Sequence, residues 1–210
     1  MRGRAPGRSL PRSFYARDSR VLAPDLLNKV LVRRVAGEPV VAARIVEVEA
    51  YCGADDAGSH AYRGQTPRNA TMFGPAGHLY VYFTYGMHWC ANVVAGERGT
   101  ASAVLLRAAA PIAGVDLMRV RRTKGQKQRL RERDLLSGPA KLCEGFGVTG
   151  ALDGVDLVRG EVRIVDDGTP PPASPLVTTR IGLAAGKGDE HPWRFCVPGD
   201  PNLSRRESAG

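Results

Sequence analysis

Residues 40–51 read VVAARIVEVEAY, an apolar, β-branched run whose length predicts one long strand. Glu47, Glu49 and Tyr51 are spaced two residues apart, so the period of a strand puts their side chains on one face. Two carboxylates on one face repel each other and resist burial unless they are partnered or functional. The alternative is a solvated sheet edge with two ordinary glutamates. The residues between them point to the opposite face, into the core: Val46, Val48 and Ala50.

Weaker signals place further elements on both sides of this strand. Asp18 is expected to cap a short helix whose apolar side is formed by Val21, Leu22, Leu26 and Leu27. Other helices are expected to begin at Pro111, running through Val115, Leu117 and Met118, and at Pro139, running through Leu142 and Phe146. Strands are predicted over 30–34, 79–85, 88–94, 103–109 and 193–197, and near Val155, Val162 and Val177. These elements indicate one mixed α/β (α+β) domain with a curved, mainly antiparallel sheet as its core and helices around it.

The composition is that of a soluble globular chain with a strong positive charge. The chain has 210 residues and a formal net charge of +9, which favours a polyanionic partner such as nucleic acid or an anionic membrane surface. Plain solubility would explain the same charge. No apolar run approaches the length that spans a membrane. Residues 119–133 contain eight basic residues and one acidic residue, which fits a solvated helix end with a mobile loop as well as it fits direct contact with DNA.

The length allows one good core, so we expect a single domain over residues 13–203. Residues 1–12 contain four arginines and lack an apolar signal-peptide core, which predicts a flexible basic tail. A second flexible tail is expected over 204–210. The cysteines are widely scattered and have no metal-ligand spacing, which favours reduced, mostly buried thiols in a cytoplasmic protein: Cys52, Cys90, Cys143 and Cys196.

Tyr85-Gly86-Met87 lies between two predicted strands and reads as a tight, protruding hairpin. Tyr80 and Tyr82 precede it, and Tyr85 is at its tip, where a large aromatic side chain would be exposed. An exposed aromatic at such a tip is a candidate wedge for a stacked substrate. The alternative is a hairpin that packs its aromatic residues against its own sheet.

Arg107 lies among apolar strand residues and therefore needs a carboxylate partner, for which Glu49 or Glu47 is the natural candidate. On this pair alone, an ordinary structural salt bridge is the preferred interpretation. Asn92 is a second polar residue within a predicted buried strand.

Several motifs follow one another along the chain: EVEAY at 47–51, SH at 59–60, QTPRN at 65–69, MF at 72–73, YVYFTYGM at 80–87, LLR at 105–107 and SGPAKLC at 137–143. Together they resemble the alkyladenine (3-methyladenine, or methylpurine) DNA glycosylase family, over residues 14–203. Several long motifs in one order are far more specific than any single short pattern. The resemblance implies the mixed α/β fold already expected, with a DNA-intercalating hairpin.

The resemblance also implies a role for each matching position. Glu49 would be the general base that activates water, with Arg107 and the backbone carbonyl of Ile181 beside it. The pocket for the flipped base would be formed by Tyr51, His60, Tyr82 and Asn92. The residues that intercalate into the duplex would be Tyr85 and Met87.

The implied activity is that of a monofunctional DNA glycosylase that flips alkylated or deaminated purines out of duplex DNA and hydrolyses their N-glycosidic bond. Its partner would be double-stranded DNA containing damaged purines, and the protein would act as a cytoplasmic, nucleoid-associated monomer without a membrane. No cofactor and no metal are expected. A lyase would use an amine as nucleophile, but no lysine occurs from Val30 through Thr123, which favours water.

Two other classes of function are open from the sequence. A non-catalytic nucleic-acid binder would explain the charge and the tyrosine hairpin but would leave the paired glutamates without a role. A metal-dependent hydrolase would have to use widely spaced side chains, and no metal-binding spacing supports it. Its candidate ligands are Glu47, Glu49, His60, His78 and His88.

Overall fold

The structure is a computed structural model that describes residues 7–126 and 130–205. Its strands are β1 Arg8–Ser9, β2 Val30–Arg33, β3 Val41–Cys52, β4 Leu79–Thr84, β5 His88–Ala95, β6 Ser102–Ala113, β7 Val162–Asp166, β8 Leu176–Thr178 and β9 Arg194–Cys196. Its helices are α1 Arg12–Tyr15, α2 Ser19–Leu26, α3 Val115–Thr123 and α4 Pro139–Phe146, with short 3₁₀ turns at Gly53–Asp55, Ala70–Phe73, Glu132–Asp134 and Gly150–Leu152. The predicted single α/β domain with a curled, antiparallel sheet is confirmed.

All nine strands of the described residues belong to one antiparallel sheet, in which seven follow the order β1-β7-β2-β3-β6-β5-β4. The strand β8 pairs with β9, and β9 pairs with β3. The strand β3 is central, because β6 pairs along one edge while β2 and β9 share the other edge. The register of β3 against β6 shifts on both sides of Glu47. Such irregularities bend a strand and redirect its side chains, often beside functional sites.

The two faces of β3 are separated as predicted for Val48 and Ala50, which belong to the main apolar core. Val46 was expected on the same face, and that expectation is wrong. Val46 packs in a smaller cluster with Ala108, Cys196 and Leu203, on the side of Glu47, because the register shift between Ile45 and Glu47 turns it to the other face. The two glutamates are fully buried as well. The alternative of a solvated edge is therefore wrong.

The helix α2 begins as predicted, because the Asp18 side chain accepts a hydrogen bond from the backbone N–H of Arg20. Leu22 and Leu26 are buried by this helix, and Leu27 is buried just after it. Val21 was expected on the same side but is 54% exposed, because it lies one residue off the buried stripe of the helix.

Two predicted elements are wrong. Pro111 does not open a helix, because β6 continues through it to Ala113 and helix α3 begins at Val115 after the left-handed Gly114. Pro111 lies next to a register shift near the end of the strand, where a missing N–H is tolerated. No strand forms at Val155 either, and the neighbouring Asp156 makes only an isolated bridge to His78.

The described parts of the two predicted tails contact the rest of the domain. Arg8–Ser9 pairs with β7 as the first strand of the sheet, and Ser204 is held by hydrogen bonds to a buried glutamate. Residues 1–6 and 206–210 lie outside the described residues. No helix within the described ranges has the length and apolar character needed to cross a bilayer.

Candidate active site

Arg107 on β6 joins the two glutamates of β3. Its Nε donates to Glu47 Oε1 at 3.0 Å and its Nη1 donates to Glu49 Oε2 at 3.2 Å. The predicted carboxylate partner is thus confirmed, and it is both glutamates. The guanidinium is buried, and ionised partners in a dry site strengthen such hydrogen bonds.

Glu47 is the more strongly anchored of the two carboxylates. Besides Arg107, the Nε of Arg194 donates to its Oε1 at 2.8 Å. The backbone N–H and the hydroxyl of Ser204 donate to Glu47 at 2.6 and 2.7 Å. Burial alone would raise the pKa of Glu47. The hydrogen bonds from Arg194 and Ser204 and the charge of Arg107 outweigh burial and lower that pKa below 4.5.

Glu49 has fewer and weaker partners. The backbone N–H of Ile181 donates to its Oε1 at 2.7 Å, and the Tyr51 hydroxyl donates to its Oε2 at 3.0 Å. Burial raises the pKa of Glu49 above 4.5, and the charge of Arg107 and these two hydrogen bonds offset the effect only in part. The resemblance drew attention to the carbonyl of Ile181, whereas the contact in the structure is made by its amide.

A cavity of about 310 Å³ lies directly in front of Glu49. Among the predicted site residues, those that line it are Tyr51, His60, Tyr82, Tyr85, Asn92, Arg107 and Ile181. Glu49 itself is fully buried behind the cavity wall. The residues that donate hydrogen bonds to it, Tyr51, Arg107 and Ile181, all line the cavity. Each of them separates the carboxylate from the cavity by one hydrogen bond.

Aromatic rings form much of the cavity wall. The His60 ring lies edge-on to Tyr82 with 4.4 Å between ring centroids, and its Nδ1 is 3.1 Å from the hydroxyl of Tyr80. Partial desolvation of the ring, followed by the charge of Arg68, lowers the pKa of His60, so the imidazole is neutral at pH 7. The side-chain amide of Asn92 donates to the Tyr80 carbonyl at 3.2 Å, which fixes Asn92 in the wall.

The hairpin between β4 and β5 carries its aromatic tip beside the cavity mouth. Tyr85 and Gly86 both have positive φ, 52° and 65°, and the Met87 amide donates to the Thr84 carbonyl at 3.1 Å. Tyr85 is 81% exposed and Met87 is 69% exposed. A tyrosine held in the left-handed region and in solvent is unusual, and such outliers cluster at functional sites. The alternative in which the tip packs against its own sheet is wrong for Tyr85, although Phe83 does pack against Trp89.

Sequence reasoning missed the residues that support the site from a distance. Arg194 and Ser204 complete the shell of Glu47, and a second buried ion pair joins Arg180 to Asp56. The one signal in the sequence was the arginine that precedes Ile181, a residue considered only for its backbone carbonyl. Arg194 and Ser204 are 147 and 157 residues from Glu47 and carry no local pattern.

The five ligands of the metal-dependent alternative are not brought together. Glu47 and Glu49 are occupied by arginines, while the Nδ1 of His78 lies 3.2 Å from Arg12 and His88 is exposed beside the hairpin tip. Within residues 7–126 and 130–205, no group of three His, Cys, Asp or Glu side chains is placed to hold a metal ion.

Four of the eight basic residues in the segment 119–133 form ion pairs. Its paired arginines are Arg119 with Asp116, Arg121 with Glu38, Arg122 with Glu144, and Arg131 with Asp134. This pairing fits the solvated helix end. The loop residues 127–129 lie outside the described residues.

An aromatic cavity backed by a buried carboxylate is suited to an enzyme that acts on a base flipped out of nucleic acid. Residues 13–201 match the family model described as methylpurine-DNA glycosylase, and the chain belongs to this family. A relative from Burkholderia lata is 52% identical over 203 residues, which cover 96% of this chain and 93% of the relative. Relatives from Carboxydothermus hydrogenoformans and Streptomyces avermitilis are 49% and 48% identical, over 94% and 95% of this chain and 99% and 93% of their own length. All three bear the provisional name 3-methyladenine DNA glycosylase.

Proposed function

We propose that this protein is a monofunctional DNA glycosylase that starts base excision repair. It flips alkylated or deaminated purines, such as 3-methyladenine, 7-methylguanine, hypoxanthine and ethenoadenine, out of duplex DNA and hydrolyses their N-glycosidic bond as a monomer. The observation that carries the proposal is a buried carboxylate, Glu49, held by Arg107 directly behind an aromatic cavity. The name shared by the three relatives supports the substrate class.

The cavity suits a flipped purine in size and chemistry. Its volume of about 310 Å³ is at the lower end of the range for small-molecule sites. Extruding a base costs a few kcal/mol, and stacking on aromatic side chains returns about 1–3 kcal/mol per base. A positively charged alkylpurine gains further from the electron-rich faces of Tyr51 and Tyr82. Neutral His60 adds no repelling charge, and Asn92 limits the space at one edge of the base.

Glu49 is the group that would act on the sugar. Breaking the bond between C1′ and the base leaves positive charge on the sugar, which a nearby carboxylate stabilises while it takes a proton from the attacking water. The raised pKa of Glu49 makes it a stronger base than an ordinary glutamate. Because Glu49 is covered in the free protein, the flipped nucleotide must displace the Tyr51 hydroxyl from Oε2 to open a path for water.

Arg107 and Ile181 keep Glu49 ionised and aimed. Arg107 supplies the opposite charge, and the Ile181 amide fixes Oε1, which leaves Oε2 for the water. The part of the chain that lines the cavity includes no lysine, so water is the proposed nucleophile and no lyase step follows.

Tyr85 and Met87 would fill the gap that the flipped nucleotide leaves. An inserted apolar or aromatic wedge restacks the neighbouring bases and offsets part of the cost of flipping. Both side chains are held out in solvent on a rigid two-strand hairpin, as this role requires.

The decisive test is release of the base from duplex oligonucleotides that contain 3-methyladenine or hypoxanthine, with a chelator present. Glu49→Gln should lower single-turnover excision about 10²–10⁴-fold, because a carboxamide cannot accept the proton of water, while binding of the lesion duplex is retained. An unchanged rate in this variant would reject Glu49 as the base. Tight binding without excision by the unmodified protein would instead favour the non-catalytic binder.

The wedge has a separate test. Tyr85→Ala should slow excision from duplex DNA about 10-fold or more and affect single-stranded substrates far less, because only a duplex has a gap to fill. Tyr62→Ala is the matched control, since Tyr62 is 49% exposed and does not line the cavity. Equal losses on duplex and single strands would count against the role of Tyr85.

A further inference from the structure

A second buried ion pair lies beside the candidate active site and is used by none of the steps above. Arg180 and Asp56 have fully buried side chains. The Arg180 Nη1 donates to Asp56 Oδ2 at 2.6 Å, and its Nη2 donates to Asp56 Oδ1 at 2.7 Å. A buried pair of this kind is costly to desolvate and is weak evidence for stability in itself.

The guanidinium of Arg180 also lies over two aromatic rings. Its central carbon lies 4.6 Å from the ring centroid of Tyr51 and 4.9 Å from that of Trp193. Its Nε has no hydrogen-bond partner in the described residues, so the rings rather than an acceptor cover that side. Tyr51 is a wall of the cavity, and Arg180 therefore holds the back of that wall.

Two glycines make room for the pair. A Cβ on Gly188, whose φ is +72°, would lie 2.5 Å from Arg180 Nη2 and 3.0 Å from Asp56 Oδ1. A Cβ on Gly58 would lie 3.0 Å from the same Nη2 and 2.8 Å from the Lys187 carbonyl. The loops around Asp56 and around residues 180–188 thus close on this one guanidinium.

Arg180 connects the strand that carries Glu49 to the segment that donates a hydrogen bond to Glu49. Its Nη1 donates to the carbonyl of Ala50 at 3.0 Å, between Glu49 and Tyr51 on β3. The next residue along the chain is Ile181, whose N–H donates to Glu49 Oε1 at 2.7 Å. The strand that carries the carboxylate and the segment that aims it are therefore tied through one side chain.

We propose that Arg180, fixed by Asp56 and Trp193, is a positioning residue that holds the Ile181 amide on Glu49 and Tyr51 in the cavity wall. The role rests on the proposed function, because it acts through Glu49. Arg180 would not touch the substrate, since it lies behind Tyr51 and is not part of the cavity lining.

The electrostatics around Glu49 make the role measurable. The charged and titratable groups that face Glu49 are Arg107 on β6, Cys90 on β5, Arg180 after β8, and Tyr51 and Glu47 on β3 itself. A hydrogen bond to an ionised carboxylate favours the ionised form. Losing the Ile181 hydrogen bond should therefore move the acid limb of the pH–rate profile to higher pH.

The experiment compares Arg180→Lys, Trp193→Leu and Arg44→Lys with the unmodified protein. Arg44 is the matched control, because it lies on β3, the strand that carries Glu49 and Tyr51. It pairs with Asp167 at 2.7 and 3.4 Å, outside the cavity. Single-turnover excision of hypoxanthine from duplex DNA is measured from pH 5 to pH 8.5, corrected for the folded fraction. Binding is measured with an uncleavable abasic analogue.

Arg180→Lys should lower excision about 10²-fold and move the acid limb to higher pH, with analogue binding little changed, because a small misplacement of catalytic groups is enough. Trp193→Leu should lower the excision rate and move the acid limb in the same directions, but less. Arg44→Lys should change neither the rate nor the acid limb. If both the rate and the acid limb of Arg180→Lys match those of the unmodified protein, the proposal is overturned. If Arg180→Lys does not fold, unmoved values in Trp193→Leu overturn it.

A failure of the proposed function is distinguishable from a failure of this inference. An unmodified protein that excises no lesion refutes the function itself. Crystal structures of the variants then still test the geometry, because the distance from the Ile181 nitrogen to Glu49 should exceed 3.5 Å in Arg180→Lys and stay near 2.7 Å in Arg44→Lys.

Discussion

Glu47 and Glu49 lie two residues apart on β3, are both fully buried and share Arg107, yet their surroundings differ. Glu47 faces β9 and the segment at Ser204, where Arg194 and Ser204 saturate its oxygens. Glu49 faces the cavity and receives one arginine, one amide and one phenol. The pKa of Glu47 is lowered and that of Glu49 is raised. Burial alone does not decide the protonation of a carboxylate, because the number and charge of its donors do.

The difference assigns separate work to the two glutamates. Pairs of titratable groups whose environments drive their pKa values apart are typical of acid and base assignments in active sites. Glu47 stays ionised and holds Arg107 from the side away from the cavity. Its negative charge also contributes to the raised pKa of Glu49. The comparison predicts that Glu47 serves mainly the fold and Glu49 mainly the reaction.

The largest expected effect is on stability, at the Glu47 side. Glu47→Gln should lower the free energy of unfolding by about 3–5 kcal/mol, because it leaves Arg107 and Arg194 buried without a full counter-charge. Urea unfolding at pH 7 measures the change. A loss below about 1 kcal/mol, the value typical of exposed ion pairs, would contradict a mainly structural role for Glu47.

The next largest effect is expected at Arg107, which both glutamates share. Arg107→Met should slow single-turnover excision about 10²-fold, because it removes the charge that stabilises ionised Glu49. The acid limb of the pH–rate profile should move to higher pH, since the opposite charge that lowers the pKa of Glu49 is lost. Arg121→Met, which breaks a surface pair with Glu38, is the control and should leave the profile in place. An unmoved acid limb in Arg107→Met would show that Arg107 does not tune Glu49.

The sequence predicted the part of this arrangement that depends on local pattern. Period two placed Glu47, Glu49 and Tyr51 on one face, and a lone arginine in an apolar strand required a carboxylate, so the central triad follows from residue types alone. The exposed hairpin tip was readable for the same reason, because Tyr85-Gly86 marks a tight turn.

The rest depends on contacts that leave no local trace. Arg194 and Ser204 reach Glu47 across 147 and 157 residues of sequence, and only the chain path brings them there. The covering of Glu49 by the segment around Ile181 also leaves no local pattern, and only the family resemblance placed Ile181 beside Glu49. The helix predicted to begin at Pro111 is wrong for a related reason. Pro111 lies near the end of β6 beside a register shift, where a strand tolerates a proline.

The smallest expected effect separates stability from activity at Glu49. Because its pKa is raised in the folded state, the folded protein binds this proton more tightly than the unfolded chain does. That stabilisation is fully present below the ordinary pKa of 4.5 and is lost as pH rises through the raised value. At neutral pH the buried negative charge of Glu49 therefore adds no net stability.

Glu49→Gln should consequently change the free energy of unfolding by less than about 1 kcal/mol at pH 7.5, although it abolishes most excision. Relative to the unmodified protein, this variant should become less stable as pH falls toward 5, because only the glutamate can gain the proton. Glu47→Gln should show the opposite trend at lower pH, since the stabilisation from Glu47 is lost as pH falls from the ordinary pKa of 4.5 through the lowered value. Urea unfolding measures these slopes, from pH 7.5 to about pH 5 for Glu49→Gln and from about pH 5 to about pH 3 for Glu47→Gln. Slopes of the same sign would mean that the two carboxylates do not have opposite pKa shifts.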